Sequence, residues 1–317
     1  MLTVYKHSDG ELISDTTVAD ATKGSWINLV NPDPDDLALI NMMTQIPTEV
    51  LKTALDMEER SHVEIEEDYI FVVINIPAIR GIDTYDTVPL GIFITPDFFI
   101  TICLEESEVL YPFINNQIAT FFTFKKTRFL FQIMHRTATL FLRYLQQINH
   151  RTDDIEVHLR HTTKNKDFFQ LLELQKSMTY FSSALRTNGT VMDRILRIRR
   201  HDEVRHLLKM YEEDEDLLED VIIENKQAIE MVEMYSNILM NMMNAFTSII
   251  SNNLNMVMKL LASVTIILAV PTVIFSLWGA NVEVPFAGDP MGFAYVTLIS
   301  VVVTVIVAII LWKNDFF

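Results

Sequence analysis

Thirteen residues follow one another at alternating gaps of four and three: Asn237, Asn241, Asn244, Ser248, Ser251, Asn255, Met258, Ala262, Thr265, Ala269, Thr272, Ser276 and Gly279. That spacing, about 3.5 residues per step, sets them on one stripe of a continuous helix. All but Met258 are small, hydroxylic or amides, while residues 260–278 carry no charge at all. Neutral oxygens of this kind do not form the lipid-facing side of a membrane helix. They can meet water, a hydrated ion, or the backbone of a neighbouring helix. Ser, Thr and Ala are also common where membrane helices pack together, so packing and a water-lined path both stand as readings of any single hydroxyl.

The acids form the second chemical feature. Ten acids and one lysine lie between Tyr211 and Tyr235, a net of −9 within a chain total of −17. The inward stripe continues back through them as Glu230, Asp220, Asp216 and Glu213. A polyanionic surface disfavours nucleic acid and direct contact with anionic lipid, and it favours cations. A solvated acidic helix face is the plainer reading of such a run. His158 and His161 share a helical face, yet no Cys or carboxylate completes a metal set at ligand spacing, so both are expected to be exposed. The methionines, such as Met242 and Met243, read as packing before they read as soft metal ligands. No Ser-His-Asp set, Walker loop or Gly-rich phosphate cradle occurs, so neither an enzyme nor ATP-driven transport is expected.

Residues 260–278 and 293–312 each have the length to cross about 30 Å of hydrocarbon. Lys259 precedes the first and Lys313 follows the second, whereas residues 279–292 between them contain no Lys or Arg. The positive-inside rule then places both termini in the cytoplasm and the loop outside. Residues 1–13 are polar and charged, so no targeting segment is expected there. The lone Cys103 lies in an apolar run and reads as a buried strand residue, in keeping with a reducing compartment.

Residues 1–122 read as an α/β domain, with strand-like runs at 2–5, 26–29, 69–76, 88–94 and 98–104. Helices are expected at 35–43 and 48–57, the first capped by Asn31 or Asp33 with Pro34 in its opening turn. Residues 123–211 read as all-α, interrupted at 161–165, at Asn188-Gly189 and at 201–203. Residues 212–278 read as one long stalk helix continuing into the first span, roughly 100 Å long at 1.5 Å per residue. Then come a loop at 279–292, a second span at 293–312 and a short tail at 313–317. One pair of spans cannot enclose water, so several copies must surround a common axis.

The first span ends in Trp278-Gly279-Ala280-Asn281. Two C-terminal spans, a short loop after Gly-x-Asn and a long acidic stalk resemble the CorA family of magnesium transporters. Further matches are Asn255-x-Val-Met258-Lys259, Pro271-Thr272, and Arg60-Ser-His-Val-Glu64 followed by Asp68-Tyr69. The family motif is Gly-Met-Asn, usually after Tyr; here Ala280 replaces Met and Trp278 replaces Tyr. Zinc-transporting relatives carry Gly-Ile-Asn, and the loop lacks a clear copy of the family's Met-Pro-Glu-Leu segment.

The resemblance implies a homopentamer in the cell membrane that admits Mg2+ passively and closes when internal Mg2+ is high. It implies Gly279, Ala280 and Asn281 as the selectivity motif, with Glu283 and Asp289 as acids of the loop. It implies a pore lined by Asn255, Met258, Leu261, Thr265, Ala269, Thr272 and Ser276. Asp220 falls at the family position for regulatory magnesium, with Asp83 and Asp86 of a neighbouring subunit as partner candidates. Mg2+ holds its waters tightly, so neutral oxygens that touch a hydrated ion suit it better than a carboxylate cage. Two rivals stay open: the same fold carrying Co2+, Ni2+ or Zn2+, and a non-conducting membrane-anchored scaffold or sensor.

Overall fold

The computed structural model describes all residues except 9, 10, 16–20, 82, 119, 160–164, 199–205, 287, 315 and 317. His161, residues 161–164 of the expected interruption at 161–165, and the expected interruption at 201–203 lie outside the described residues. The chain divides into two compact units, Met1–Met242 and Met243–Phe317.

The first unit is built on a seven-stranded sheet in the order β2-β1-β3-β7-β6-β5-β4. Its strands are β1 (Leu2–Ser8), β2 (Glu11–Asp15), β3 (Trp26–Val30), β4 (His62–Ile65), β5 (Ile70–Gly81), β6 (Thr84–Ile94) and β7 (Phe99–Cys103). Among the described residues only β3 and β7 pair in parallel. Period-two alternation divides the side chains between two cores. Ile27, Leu29, Phe71, Phe93, Ile100 and Ile102 face α1 (Pro34–Thr44) and α2 (Thr48–Thr53). Gly91 lies under α2, where a Cβ would come within 2.3 Å of the Ala54 Cβ. On the other face Trp26, Phe99, Phe121 and Phe129 form an aromatic cluster, in which the Phe99 and Phe129 rings lie 4.4 Å apart. Trp26 Nε1 donates to Thr101 Oγ1 at 2.8 Å, and Thr101 Oγ1 donates to Asn28 Oδ1 at 2.8 Å, so the polar atoms inside this core are paired. Cys103 is a buried residue of β7, as its apolar setting predicts.

Helix α1 starts at Asp33, which accepts from Asp36 N while Asp36 reaches back to Asp33 N; Pro34 stands in the first turn. Of the two expected caps, Asp33 is therefore the one used. Helix α2 ends at Thr53, short of the expected 57: Thr53 Oγ1 donates back to Glu49 O, and Asp56 Oδ1 then takes the N–H of Glu58 in a turn. Strand β2 and the one-turn α3 (Tyr111–Ile114) carry no periodic signal of their own.

Helices α4 (Lys126–Leu159) and α5 (Asn165–Ile198) pack on β5, and α5 also covers β4 and β6. The Asn188-Gly189 pair does not interrupt α5. The Asn188 side chain is spent on the sheet: Oδ1 accepts from Ser61 Oγ at 2.7 Å and Asn75 N at 2.9 Å, and Nδ2 donates to Asn75 O at 2.8 Å. At Gly189 a Cβ would stand 3.1 Å from Asn225 Nδ2, and that amide donates to Leu185 O at 3.0 Å. A pair that reads locally as a turn is thus a packing device in a continuous helix.

Helix α6 runs unbroken over Glu212–Trp278, and α7 spans Gly292–Lys313. Both contain stretches long and apolar enough to cross a membrane. The α/β domain, long helix and apolar hairpin are the fold class that the sequence pattern predicts.

Candidate functional site

Within the second unit, α6 and α7 bury a narrow set of small and branched residues. Ser263 is fully buried on α6, with Ile267, Val270, Ile274 and Trp278 half-buried at helical spacing. On α7 the buried positions are Gly292, Val296 and Ser300, a four-residue spacing of mostly small side chains suited to close contact. The Phe275 and Phe293 rings lie 6.4 Å apart. Ser263 Oγ donates to Lys259 O at 2.8 Å and lies 3.3 Å from Phe316 O.

The polar stripe lies on a different face. Asn255, Met258, Leu261, Thr265, Ala269, Thr272 and Ser276 are all exposed in the single chain. Thr265 Oγ1 donates to Leu261 O at 2.8 Å and Thr272 Oγ1 to Leu268 O at 2.9 Å. A hydroxyl has one proton and two lone pairs. With the proton given to its own helix, each threonine offers only lone pairs outward, which is the polarity a cation or its hydration shell needs. Pro271 lacks the N–H that would bond Ile267 O, so the α6 backbone bonds are thinned one residue before Thr272.

At the end of α6, Gly279 N donates to Phe275 O at 2.9 Å and Ala280 N to Leu277 O at 3.4 Å. Asn281 follows in a bend, exposed, and among the described residues no hydrogen bond engages its side chain. An asparagine that caps a helix C-terminus does so in the left-handed conformation, and Asn281 is not among the described residues with positive φ. Trp278 Nε1 instead fastens the loop by donating to Pro285 O at 3.1 Å. Of the two loop acids, Asp289 accepts from Met291 N at 2.9 Å and so organises the entry to α7, while Glu283 is exposed.

The regulatory candidates lie in the first unit. Asp220 is exposed on α6, next to buried Leu218 and Val221. Asp83, at the β5–β6 turn with φ 63°, accepts from Arg151 Nε at 2.8 Å. Asp86 lies 3.8 Å from Arg80 Nε and accepts from Thr87 N at 2.8 Å. Among the described residues no three His, Cys, Asp or Glu side chains converge into a metal site, so one chain does not gather these three acids. His158 is exposed on α4.

Sequence reasoning missed how far the acidic run is answered by basic side chains from α4 and α5. Arg128 contacts Glu213 at 2.8 Å and Asp214 at 3.7 Å, His135 Nε2 meets Glu224 at 2.9 Å, and Arg186 pairs with Glu233. Thr139 Oγ1 adds a bond to Glu224 at 3.0 Å. The seven-residue spacing of Arg128 and His135 on α4 is a sequence signal for the pairs made by that helix, and Arg186 on α5 has no counterpart at such a spacing.

A family model described as CorA-like Mg2+ transporter protein matches residues 22–313. The curated Cobalt/magnesium transport protein CorA of Methanocaldococcus jannaschii is 25% identical over 291 residues, covering 89% of this chain and 87% of the relative. Two solved structures share the fold. The complete CorA magnesium transporter from Methanocaldococcus jannaschii superposes with a TM-score of 0.84 at 24% identity, covering 100% of this chain and 99% of that one. The full-length CmaX protein does so with a TM-score of 0.72 at 14% identity, covering 97% of each chain.

Proposed function

We propose, from the premise that the chain belongs to the CorA-like Mg2+ transporter family, that it is a homopentameric channel of the cell membrane that admits Mg2+ down the membrane potential. Divalent-cation transport is the family's function; the ion, the driving force and the gate are our reading. The observation that carries it is the division of labour on α6. One face is used by α7, and a second, with its threonine protons turned inward to the helix, is left free.

Around a fivefold axis that second face would line a path of neutral oxygens. Asn255 would form an amide ring at the cytoplasmic entrance and Asn281 another at the outer mouth. Met258 and Leu261 would narrow the path near the entrance, where apolar rings gate by dewetting. Residues 260–278 hold no charge, so the potential must drive the ion; a divalent cation gains about 4.6 kcal/mol per 100 mV, twice the unit-charge value. Both termini would lie in the cytoplasm, with residues 279–292 outside.

Closure would come from the acids. Carboxylates crowded at a subunit interface repel until a divalent ion bridges them, so bound Mg2+ favours the symmetric closed assembly. Asp220 is the acid we assign, because it is exposed and unpaired in α6 among the described residues. Asp86 is the better partner from a neighbouring subunit, since Asp83 already holds Arg151.

A second reading has its own support. The curated relative is named for cobalt as well as magnesium, and Ala280 takes volume from the motif beside the mouth. Uptake into proteoliposomes with the potential controlled, using Mg2+, Co2+, Ni2+ and Zn2+ in turn, separates the cases. Potential-dependent Mg2+ entry is the expected result. Entry of another divalent in preference to Mg2+ selects the second reading, and no entry of any ion makes the protein a scaffold or sensor.

A further inference from the structure

The first unit contains a cleft of about 1070 Å3 between the start of α4 and the segment that leads into α6. It gathers Lys23, Lys125, Lys126, Arg128 and Lys209, five of the 25 Lys and Arg residues in a chain of net charge −17. Asp97 answers Lys23 at 3.2 Å, and Glu213 and Asp214 answer Arg128. Among the described residues, Lys126 Nζ donates to the carbonyls of Thr95 and Pro96 and to no carboxylate. Lys125 and Lys209 are exposed and form no ion pair among the described residues, where Arg128 Nε is a buried N–H without an acceptor. The opening N–H groups of α4, a helix of 34 residues, add their partial positive charge at Lys126, Thr127 and Arg128.

Two further features narrow the ligand. Phe124 and Tyr211 line the cleft with 55% and 63% of their surface exposed, and such faces accept a stacked base. Glu212 and Glu213 stand in the same cleft, where carboxylates would repel a bare anion. Glu212, which is exposed and forms no ion pair among the described residues, suits a phosphate group that carries Mg2+, an ion held by one or two carboxylates together with phosphate oxygens. The volume matches a ligand of that size.

We propose that this cleft binds a Mg2+-chelated nucleoside di- or triphosphate. The phosphates sit against Lys125, Lys209 and the start of α4, the base lies on Phe124 or Tyr211, and the metal is shared with Glu212, since Glu213 already holds Arg128. Glu212 and Glu213 open α6, so occupancy of the cleft bears on the first turn of that helix.

Calorimetric titration of the full-length protein in detergent with ATP and ADP, with and without Mg2+, tests this directly and does not depend on transport. The comparison ligands are inorganic phosphate and glycerol phosphate, the latter standing for a lipid headgroup. Saturable nucleotide binding is expected with Kd of about 1 mM or tighter, strengthened by Mg2+. The paired change Lys125→Glu with Lys209→Glu should weaken it by about tenfold or more, and the milder pair Lys125→Ala with Lys209→Ala by less. Both lysines are exposed, so an unchanged thermal midpoint will confirm that the variants fold. Phe124→Ala with Tyr211→Ala should weaken nucleotide but not inorganic phosphate. No saturable nucleotide binding, phosphate or glycerol phosphate bound as tightly as ATP, or wild-type affinity in the paired variants overturns the proposal.

Discussion

Arg151 Nε donates to Asp83 Oδ2 at 2.8 Å, tying the β5–β6 turn to α4. The Asp83 side chain keeps only 14% of its exposure. A carboxylate so engaged must lose its guanidinium before it can take a metal ion, whereas Asp86 meets Arg80 loosely at 3.8 Å. Asp83→Asn should therefore lower stability by about 1 kcal/mol, the scale of a partly exposed ion pair, with Mg2+-dependent closure retained. Asp86→Asn and Asp220→Ala should weaken closure with little effect on thermal unfolding. Loss of closure in Asp83→Asn at an unchanged midpoint would reverse the assignment.

The free face of α6 can be read with thiol reagents. Cys103 is fully buried, and that burial pushes its thiol up to about 11, so the native cysteine should stay silent at neutral pH. Cysteines placed by Thr265→Cys and Thr272→Cys should react with a water-soluble reagent, while Ile267→Cys, on the half-buried face, should not. Equal protection of all three would remove the water-lined path.

The mouth makes a separate test. Asn281→Ala deletes an amide that bonds to nothing within the described chain, so it should leave assembly intact and remove most divalent uptake. Ala280→Met should raise preference for Mg2+ in a competition series. Full uptake in the first variant would leave Asn281 without a role in conduction.

Asn188 joins α5 to the sheet by three side-chain hydrogen bonds. Asn188→Ala leaves the Asn75 carbonyl and the Ser61 hydroxyl short of a partner in a buried site. A loss of about 3 kcal/mol, the upper range for stranded polar groups, is expected. Denaturant unfolding of the variant measures it, and a change near zero would mean that water substitutes for the amide.

Lys126 supplies a pH dependence. Desolvation by burial lowers its pKa to about 8 from the ordinary 10.5, with nearby Asp97 opposing the shift and Lys23 adding to it. Between those two values the unfolded chain binds more protons than the folded one, so this group makes stability rise as pH increases from about 8 towards 10.5. Below about 8 both states are protonated and the full penalty of burying the charge is present. Lys126→Met should flatten that part of the stability–pH curve relative to the parent protein. Parallel curves for the two proteins would show that the burial penalty is not expressed.

How much of this was legible in the sequence depends on the range of the interaction. The two spans, the unbroken α6 and its polar stripe follow from composition and a 3.5-residue period, which are local properties that hold whatever the chain packs against. The strand-like runs 26–29, 69–76 and 88–94, which hold Trp26, Phe71 and Phe93, were legible as equally local apolar runs. Strand β2 and the one-turn α3 had no period to read, and Asn188-Gly189 read as a break because a local rule cannot see a strand 113 residues away. The answer to the acidic run was equally hidden. Glu213 meets Arg128 across 85 residues and Glu224 meets Thr139 across 85. Such pairs form only after the sheet has fixed where α4, α5 and α6 lie. Local sequence determined which side chains share a face of each helix. Tertiary structure decided which of their charges are already satisfied and which remain free to meet a ligand, because that depends on neighbours brought together only by folding.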